Sequence, residues 1–584
     1  MANFDGYGKA EEIVLSSFGG LNRQGPLCGG NQCIELRNLR PMPDGTLMRR
    51  EGYIPFVKLD ATVRGVFEIE RNSDREAYAV AGDAVYYLDT KQNPCAPRLL
   101  GRIGSAEGAV QFFCYDRQLL LLDGQEIWVL TPDQLCRIQP YIPLYGKDWN
   151  FGDDGLRTIY EAPNVLCNQL RIRFRPSSLA LTYYFIDLPV RSVDEVYVNG
   201  MKYENSYTFD EQQQTVSLSN GYDVGTVVEM IVTVEESFCG NRGAVAGAAH
   251  ISSIGDAEDE RLLFYGGSVP TGSICMSHAI TPTERDVMRA MRPESCMLYL
   301  TKQDTLTLGN GLHAVTGACR HYDRSLIFTE NETWMADGTL NDSGMLRLIP
   351  VNTTLGCSCA GAYTVIGNEP ITVMGNRVLR WNSKTDERNE CNAEVISGEI
   401  EVFLSFDFGK NTAVFADALH NEVWFYTPGR EGRIFIRNEQ NEQWTSFDGF
   451  VPDGMFLMND FVGFYHGQTI FLFIPSAICD IDENSSIHGI EAEMLTSFLD
   501  FGHAGRVKRL VGATVTASCG KHKAELVLQH VNGRERVIPL HGDGNTVCVM
   551  QARGNSGRFR YLRVGIRCSH IGSWQLYGVR LTAR

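Results

Sequence analysis

Short stretches of alternating apolar and polar residues recur along most of this 584-residue chain, and turn-forming dipeptides separate them in pairs. Gly, Asn and Asp tolerate the positive φ of a two-residue hairpin turn, and β-branched or aromatic residues favour the flanking strands. Helical periodicity is scarce, with SVDEVYV and TPTERDVMRAMR as the weak candidates. The pattern predicts hairpins with turns at Gly82-Asp83, Asp123-Gly124, Gly266-Gly267, Glu330-Asn331, Gly375-Asn376, His420-Asn421 and His466-Gly467.

The spacing of these turns indicates a repeat. Four of the intervals span 41 to 46 residues, and a period of about 40 to 50 with several strands per unit is typical of propeller blades. The interval of 64 residues from Gly266 to Glu330 predicts an elaborated blade. The longer interval from Asp123 to Gly266 predicts an insertion of about 100 residues. The expected fold is all-β, with a six- or seven-bladed β-propeller at its centre.

Two further β-rich regions accompany the predicted propeller. Residues 146–244 alternate apolar and polar positions and predict an inserted β-sandwich or barrel. Residues 494–584 contain another run of period-2 strands and predict a C-terminal β-sandwich. The remaining boundaries follow: an extended N-terminal segment at 1–60, a discontinuous propeller at 61–145 and 245–478, and a polar linker at 479–493.

Charge is distributed unevenly along the chain. The formal net charge is -17, and residues 494–584 contain 14 Lys and Arg against 4 Asp and Glu. An acidic body therefore carries a basic end. Either these charges form an ordinary solvated surface, or the two surfaces face one another between subunits or engage different partners. Arg506, Lys508 and Arg509 are the candidate contact residues. The apolar runs are too short to span a bilayer, and no targeting segment is recognised, so assembly in a cytoplasm is expected.

Catalytic and metal motifs are weak. We expect no catalytic residues and no cofactor, because the common nucleophile, zinc, P-loop and dinucleotide motifs do not occur. The 17 cysteines are scattered and odd in number, so we interpret them mostly as buried thiols. Asp480, Asp482, Asn484 and Glu491 occupy positions 1, 3, 5 and 12 of a calcium loop. Ser485 replaces the glycine such a loop needs, and strands flank it, so an acidic linker is the alternative interpretation.

Three N-terminal segments resemble the start of virion proteins from tailed bacteriophages: FGGLN at 18–22, IELRNLRP at 34–41 and DGTLMRREGY at 44–53. The predicted architecture is also similar to that of the tail nozzle, or tail tubular protein B, of short-tailed phages. FLDFGHAGRVKRL at 498–510 and GSWQLYGVRL at 572–581 look like the closing β-domain of such proteins. The resemblance in residues covers about the first 55 positions, and beyond them it is architectural.

The resemblance implies a mechanical function. Copies would form a ring, six-fold in the expected case, that conducts double-stranded DNA without specific binding and anchors tail fibres or adaptors beside the portal. The location would be the virion tail, assembled in the bacterial host. An acidic body suits a conduit, because a basic lumen would bind phosphates. Strands at 34–39 and 46–50 are expected to complete a blade or to reach a neighbouring subunit.

Two alternatives remain from the sequence. The first is a propeller at the tail tip that binds a carbohydrate or a receptor. The second is a propeller glycosidase or lyase. Ser405, Asp407, Gly409 and Thr412 resemble the Asp-box of sialidases, although Thr412 lies one position late. That box is a hairpin-turn element rather than an active site, so it adds little to the enzyme hypothesis.

Overall fold

The computed structural model describes residues 10–25, 29, 31–71, 73–91, 94–150, 158–254, 260–322, 324–337, 347–382, 393–405, 408–519, 523–545, 547–553 and 557–584. The chain divides into two compact units. The first unit contains residues 1–81, 86–98 and 357–584, and the second contains residues 82–85 and 99–356. Asp407 of the Asp-box-like segment lies outside the described residues.

The N-terminal segment is built from short strands rather than from one loop. Its strands are β1 (Glu11–Leu15), β2 (Cys33–Arg37), β3 (Leu39–Pro41), β4 (Leu47–Arg49) and β5 (Gly52–Lys58). The expected extended stretches at 34–39 and 46–50 are therefore present. Strand β4 pairs with β3, whereas its other partner and both partners of β2 lie far along the chain.

Two four-stranded sheets follow. The first contains β6 (Val63–Arg71), β7 (Asp74–Ala81), β8 (Ala84–Leu88) and β9 (Pro97–Arg102), and the second contains β10 (Gln111–Tyr115), β11 (Gln118–Leu122), β12 (Ile127–Leu130) and β13 (Leu135–Arg137). Both predicted turns in this region are confirmed. Gly82 and Gly124 adopt positive φ values of 54° and 79°, which a residue with a Cβ rarely adopts.

The predicted insertion forms two sheets of its own within the second unit. Its strands are β14 (Leu144–Trp149), β15 (Thr158–Ile159), β16 (Gln169–Phe174), β17 (Ala180–Tyr184), β18 (Val190–Val198), β19 (Met201–Lys202), β20 (Tyr207–Asp210), β21 (Thr215–Tyr222) and β22 (Val228–Val234). They form one sheet in the order β15-β14-β16-β22-β18-β19 and another in the order β17-β21-β20. SVDEVYV lies in β18, so its weak helical assignment is wrong. Buried Trp149, Phe174, Tyr183 and Phe185 contribute to the core of this domain.

The second unit continues with short helices and two more four-stranded sheets. The elements are α1 (Glu236–Cys239), α2 (Arg242–Ala246), β23 (His250–Ile254), β24 (Arg261–Tyr265), β25 (Ser273–Met276), α3 (Pro282–Met291), β26 (Thr305–Thr307), β27 (Val315–His321), β28 (Arg324–Thr329), β29 (Thr333–Asp337) and β30 (Arg347–Asn352). Helix α3 explains the long interval between turns, and Thr281 caps it. None of the helices in the described ranges is long and apolar enough to cross a membrane.

Three further groups of four strands in the first unit complete the blades. Their strands are β31 (Tyr363–Ile366), β32 (Glu369–Met374), β33 (Arg377–Trp381), β34 (Ala393–Val395), β35 (Ala413–Asp417), β36 (Glu422–Tyr426), β37 (Ile434–Asn438), β38 (Trp444–Phe447), β39 (Gly454–Met458), β40 (Phe461–His466) and β41 (Thr469–Ile474). A 3-10 helix at Gly398–Phe403 precedes β35. Strand β5 pairs antiparallel with β41 and supplies the fourth strand of the last sheet. The described residues thus form six four-stranded sheets, and β35 to β38 are four consecutive strands of a larger sheet. The predicted all-β propeller is confirmed.

The C-terminal region of the first unit forms the predicted sandwich. Its strands are β42 (Asp480–Ile481), β43 (Ile487–His488), β44 (Ala492–Thr496), β45 (Leu510–Ser518), β46 (Lys523–His530), β47 (Glu535–His541), β48 (Cys548–Arg553), β49 (Leu562–Cys568) and β50 (Gln575–Ala583). One sheet has the order β3-β4-β50-β45-β48, with β1 also on β50. The other has the order β2-β44-β49-β46-β47. The sandwich therefore extends beyond residues 494–584 to include the N-terminal strands.

Strand β2 connects this sandwich to a blade. It pairs with β38 on one side and with β44 on the other, so a nine-stranded sheet runs from β35 to β47 within the first unit. The predicted linker at 479–493 contains the hairpin β42–β43 and the first residues of β44. Backbone hydrogen bonds therefore continue from blade to sandwich through an N-terminal strand.

Candidate functional site

The N-terminal segment places arginines in the interior of the first unit. Arg40, at the centre of β3, donates from Nε to Glu422 Oε1 at 2.7 Å and from Nη1 to both oxygens of Glu51 at 3.0 Å. The Arg40 and Glu422 side chains are 7% and 1% exposed. Burial alone would raise the pKa of Glu51, but Arg40 and a backbone hydrogen bond together lower the pKa below its usual value. Charged groups buried this deeply stay ionised because they are paired.

Arg50 uses every one of its N–H groups on partners inside the protein. Nη1 and Nη2 donate to Asp480 Oδ1 and Oδ2 at 2.9 and 2.7 Å, and Nε donates to Asn38 Oδ1 at 3.0 Å. The remaining two N–H groups donate to the carbonyl oxygens of Glu51 and Asp448. A guanidinium offers five such donors, so its hydrogen-bonding capacity is filled.

Asn38 fixes the bend between β2 and β3. Its φ is 54°, a value that Asn tolerates better than most residues. Its Nδ2 donates to Asp448 Oδ1 at 2.6 Å and to the Glu491 carbonyl oxygen at 2.7 Å. Arg49 donates to the carbonyl oxygens of Ile490 and His570. The segment that looked loop-like in the sequence is therefore held to a blade, to the hairpin and to the sandwich.

A group of metal-type ligands lies beside Arg40. Atoms of Asp417, His420 and Glu422 lie within 4.8 Å of one another in the β35–β36 turn. Glu422 already accepts two hydrogen bonds from Arg40, and Asp417 Oδ2 is 2.6 Å from His420 Nδ1. The hydrogen bond to Asp417 raises the pKa of His420, although burial opposes the shift. These contacts favour an extension of the Arg40 ion cluster over a metal centre.

The carboxylates of the calcium candidates have other partners in the structure. Both carboxylate oxygens of Asp480 accept hydrogen bonds from Arg50, and Glu491 lies 3.8 Å from Arg37. Asp482 accepts from the backbone N–H groups of Asn484 and Ser486 at 2.8 Å, as a turn-forming aspartate does. A calcium ion would have to displace a buried guanidinium from Asp480. These contacts favour the acidic linker over a calcium loop formed by Asp480, Asp482, Asn484 and Glu491.

The three basic candidates divide into two kinds. Arg506 and Arg509 are exposed, as a partner contact requires. Lys508 is only 3% exposed, and its Nζ donates to the carbonyl oxygens of His503, Arg506 and Arg560. An ammonium group that already donates to three backbone carbonyls holds together the backbone segments around it. Lys508 is therefore removed from the predicted contact set, whereas Arg506 and Arg509 remain in it.

One polar pocket of the first unit was missed by the sequence analysis. It has a volume of about 480 Å³ and is lined by residues from three separate segments at 19–32, 380–399 and 437–444. Amide side chains of Gln24, Asn31 and Gln32 line it, together with Glu399 and Arg437. No local motif predicts such a site, because its residues meet only when the N-terminal segment has folded onto the sheets.

Comparisons with known proteins find distant structural similarities. No family model and no curated protein matches the chain. Similar solved structures include the AfRom2 CNH domain, 8% identical over 72% of this chain and 99% of that chain, with a TM-score of 0.35. The Dos1 propeller is 10% identical over 73% and 96%, with a TM-score of 0.32. An exo-β-1,3-galactanase from Phanerochaete chrysosporium is 6% identical over 57% and 95%, with a TM-score of 0.22.

These values are too low to carry an argument about function. The arrangement of the strands themselves defines the class: this is an all-β protein with propeller blades, an inserted β-domain and a terminal β-sandwich.

Proposed function

We propose that this protein is a structural component of a bacteriophage tail, and that its copies assemble into a ring through which double-stranded DNA passes. One observation carries the proposal. The segments that resemble the start of tailed-phage virion proteins, at 34–41 and 44–53, supply the strands and arginines that join blade to sandwich. The resemblance therefore falls on residues with a structural role in this fold.

The nine-stranded sheet suits a mechanical function. A part that bears load between neighbours needs its domains joined by many cooperative bonds rather than by a flexible linker. Here β2 hydrogen-bonds to β38 and to β44, and buried ion pairs flank it. We expect a force applied to the sandwich to reach the blade through these backbone hydrogen bonds and ion pairs.

Charge complementarity provides the ring contact. The basic sandwich of one copy would pack against the acidic body of the next in a heterologous contact, which closes into a ring when its rotation allows. Arg506 and Arg509 are exposed on the sandwich and are the residues that we assign to this contact. The acidic body also avoids binding DNA phosphates. Portal, adaptor and fibre proteins are the further partners that the proposal implies.

Charge reversal tests the ring. Arg506→Glu and Arg509→Glu are each compared with Arg430→Glu, which makes the same change at an exposed arginine of the last blades. We expect ring formation, measured by analytical ultracentrifugation and negative-stain microscopy at low salt, to need about tenfold more protein in the first two variants only. Wild-type protein that stays monomeric at every concentration would end the ring proposal. Rings that are indifferent to both reversals would end the proposed contact.

A carbohydrate- or receptor-binding propeller is the second candidate function. The observation that favours it is the polar pocket lined by amide side chains, because amides both donate and accept hydrogen bonds. The pocket could serve a ring-forming tail protein as well as a separate binding protein.

A further inference from the structure

We infer that the polar pocket of the first unit binds a neutral saccharide. This inference rests on the second candidate function and does not depend on ring assembly. The pocket lies between residues 19–32 of the N-terminal segment, the edge of the β33–β34 pair and the turn between β37 and β38. Its volume of about 480 Å³ falls within the range of about 300 to 1,000 Å³ that small-molecule sites occupy.

Two arginines of the pocket are already neutralised. Arg380 and Arg437 alternate with Glu439 and Glu442 in a closed cycle of ion pairs. Glu442 Oε1 lies 3.3 Å from Arg380 Nη1 and 3.4 Å from Arg437 Nη2, and Glu439 Oε1 lies 2.6 Å from Arg437 Nη1. Glu439 also pairs with Arg380. A guanidinium that has two carboxylate partners offers little attraction to an anionic ligand.

The remaining charge of the pocket is negative. Glu394 and Glu399 line it without belonging to that cycle. Burial raises the pKa of Glu399, while Arg437 and a hydrogen bond from Gln32 oppose the shift. Gln32 Nε2 donates to Glu399 Oε1 at 3.4 Å. Phosphates, sulfates and acidic sugars are therefore disfavoured, since each would bring a second negative charge to a partly desolvated carboxylate.

Among neutral molecules, the amide groups that line the pocket favour a ligand with many hydroxyl groups. The lining amides are those of Gln24, Asn31, Gln32, Asn441 and Gln443. Each has an N–H₂ donor and a carbonyl acceptor, and a sugar hydroxyl likewise donates and accepts. Within the described part of the chain, Arg437 Nε and Gln443 Oε1 are buried and lack a hydrogen-bond partner. Buried polar atoms left in this state are uncommon, and both belong to residues that line the pocket.

An apolar ligand fits this lining poorly. The aromatic ring of Trp444 is buried, with its indole N–H donated to the Ile396 carbonyl oxygen. The carboxylates, guanidinium groups and amides dominate the wall that remains. A polyhydroxylated, uncharged ligand matches both the hydrogen-bonding pattern and the charge.

Saturation-transfer difference NMR on the full chain tests the inference. The probes are cellobiose, maltose and lactose, with glucuronic acid and glucosamine as anionic and cationic comparisons. We expect transfer to at least one neutral disaccharide, with affinity about tenfold weaker in Gln32→Ala and in Asn31→Ala. Gln440→Ala removes an exposed amide from the same turn outside the lining, and it should leave the affinity unchanged.

Three results would overturn the inference. The first is no transfer to any of the three neutral disaccharides, and the second is stronger binding of glucuronic acid or glucosamine. The third is a loss of affinity in Gln440→Ala equal to that in Gln32→Ala and Asn31→Ala. Because Asn31 is exposed, Asn31→Ala should not disturb folding, so its loss of affinity reports on the ligand. The thermal midpoint of each variant is measured alongside. Sedimentation reports ring size separately, so failure of this site and failure of the ring are distinguishable.

Discussion

Arg50 shows how a single side chain connects distant parts of the chain. Its guanidinium joins Asn38 of the N-terminal segment, Asp448 after β38 and Asp480 of the terminal hairpin. In the sequence these residues share no motif, and Asp480 was grouped with calcium ligands instead. A partner 430 positions away cannot be recognised from local spacing.

Replacing Arg50 should destabilise the first unit strongly. Arg50→Met leaves the carboxylate of Asp480 buried without its cation, which costs about 3 to 5 kcal/mol of unfolding free energy. Urea denaturation followed by tryptophan fluorescence measures the loss. Lys91→Met, at an exposed pair with Asp74, is the control and should leave the midpoint unchanged. Equal midpoints for both variants would contradict the role assigned to Arg50.

His420 makes the stability of the first unit depend on pH. Because its pKa is raised in the folded protein by the hydrogen bond to Asp417, protonation stabilises the fold. That contribution is fully present below the unfolded pKa of about 6.5 and is lost as pH rises through the higher folded value. We expect the thermal midpoint to fall less between pH 6 and pH 8 in His420→Asn than in wild type. The same fall in both proteins would exclude His420 as the source.

At the scale of elements, one of the predicted intervals separates two turns that hold different places in their sheets. The turn at Gly375-Asn376 joins the second and third strands of its sheet, whereas the turn at His420-Asn421 joins the first and second strands of the next. The equivalent second-to-third connection lies between β36 and β37. The 3-10 helix at Gly398–Phe403 lengthens the preceding connection and shifts the pattern. The turns themselves were predictable from Gly and Asn, but their positions within the blades were not.

Strand β5 begins at a close approach of two backbones. A Cβ added to Gly52 would lie 2.0 Å from the carbonyl oxygen of Cys479, so Gly52→Ala must displace the start of the strand that completes the last blade. We expect a loss of about 1 to 3 kcal/mol in unfolding free energy, measured in urea. Gly432→Ala adds a methyl group where nothing lies within 4 Å and is the matched control. A Gly52→Ala protein as stable as this control would refute the strand-closure role.

At the scale of the whole molecule, features built from residues close in sequence were predicted, whereas pairings between distant strands were not. The propeller, the insertion and the terminal sandwich follow from hairpins, which are formed by residues close in sequence. The sheet that joins β38, β2 and β44 does not, because β2 is separated from both partners by hundreds of residues. The polar pocket was missed for the same reason, since Gln32 meets Glu399 only across that distance.

The pairing of β1 with β50 also sets an order of events on the ribosome. Glu11 lies opposite Ala583, so β1 waits for a partner strand that is synthesised hundreds of residues later. At about 5 to 20 residues per second, that interval lasts roughly half a minute to two minutes. Until β50 is made, β1 and the β3–β4 hairpin lack their partner strand. Their apolar residues therefore remain available to chaperones or to other nascent copies.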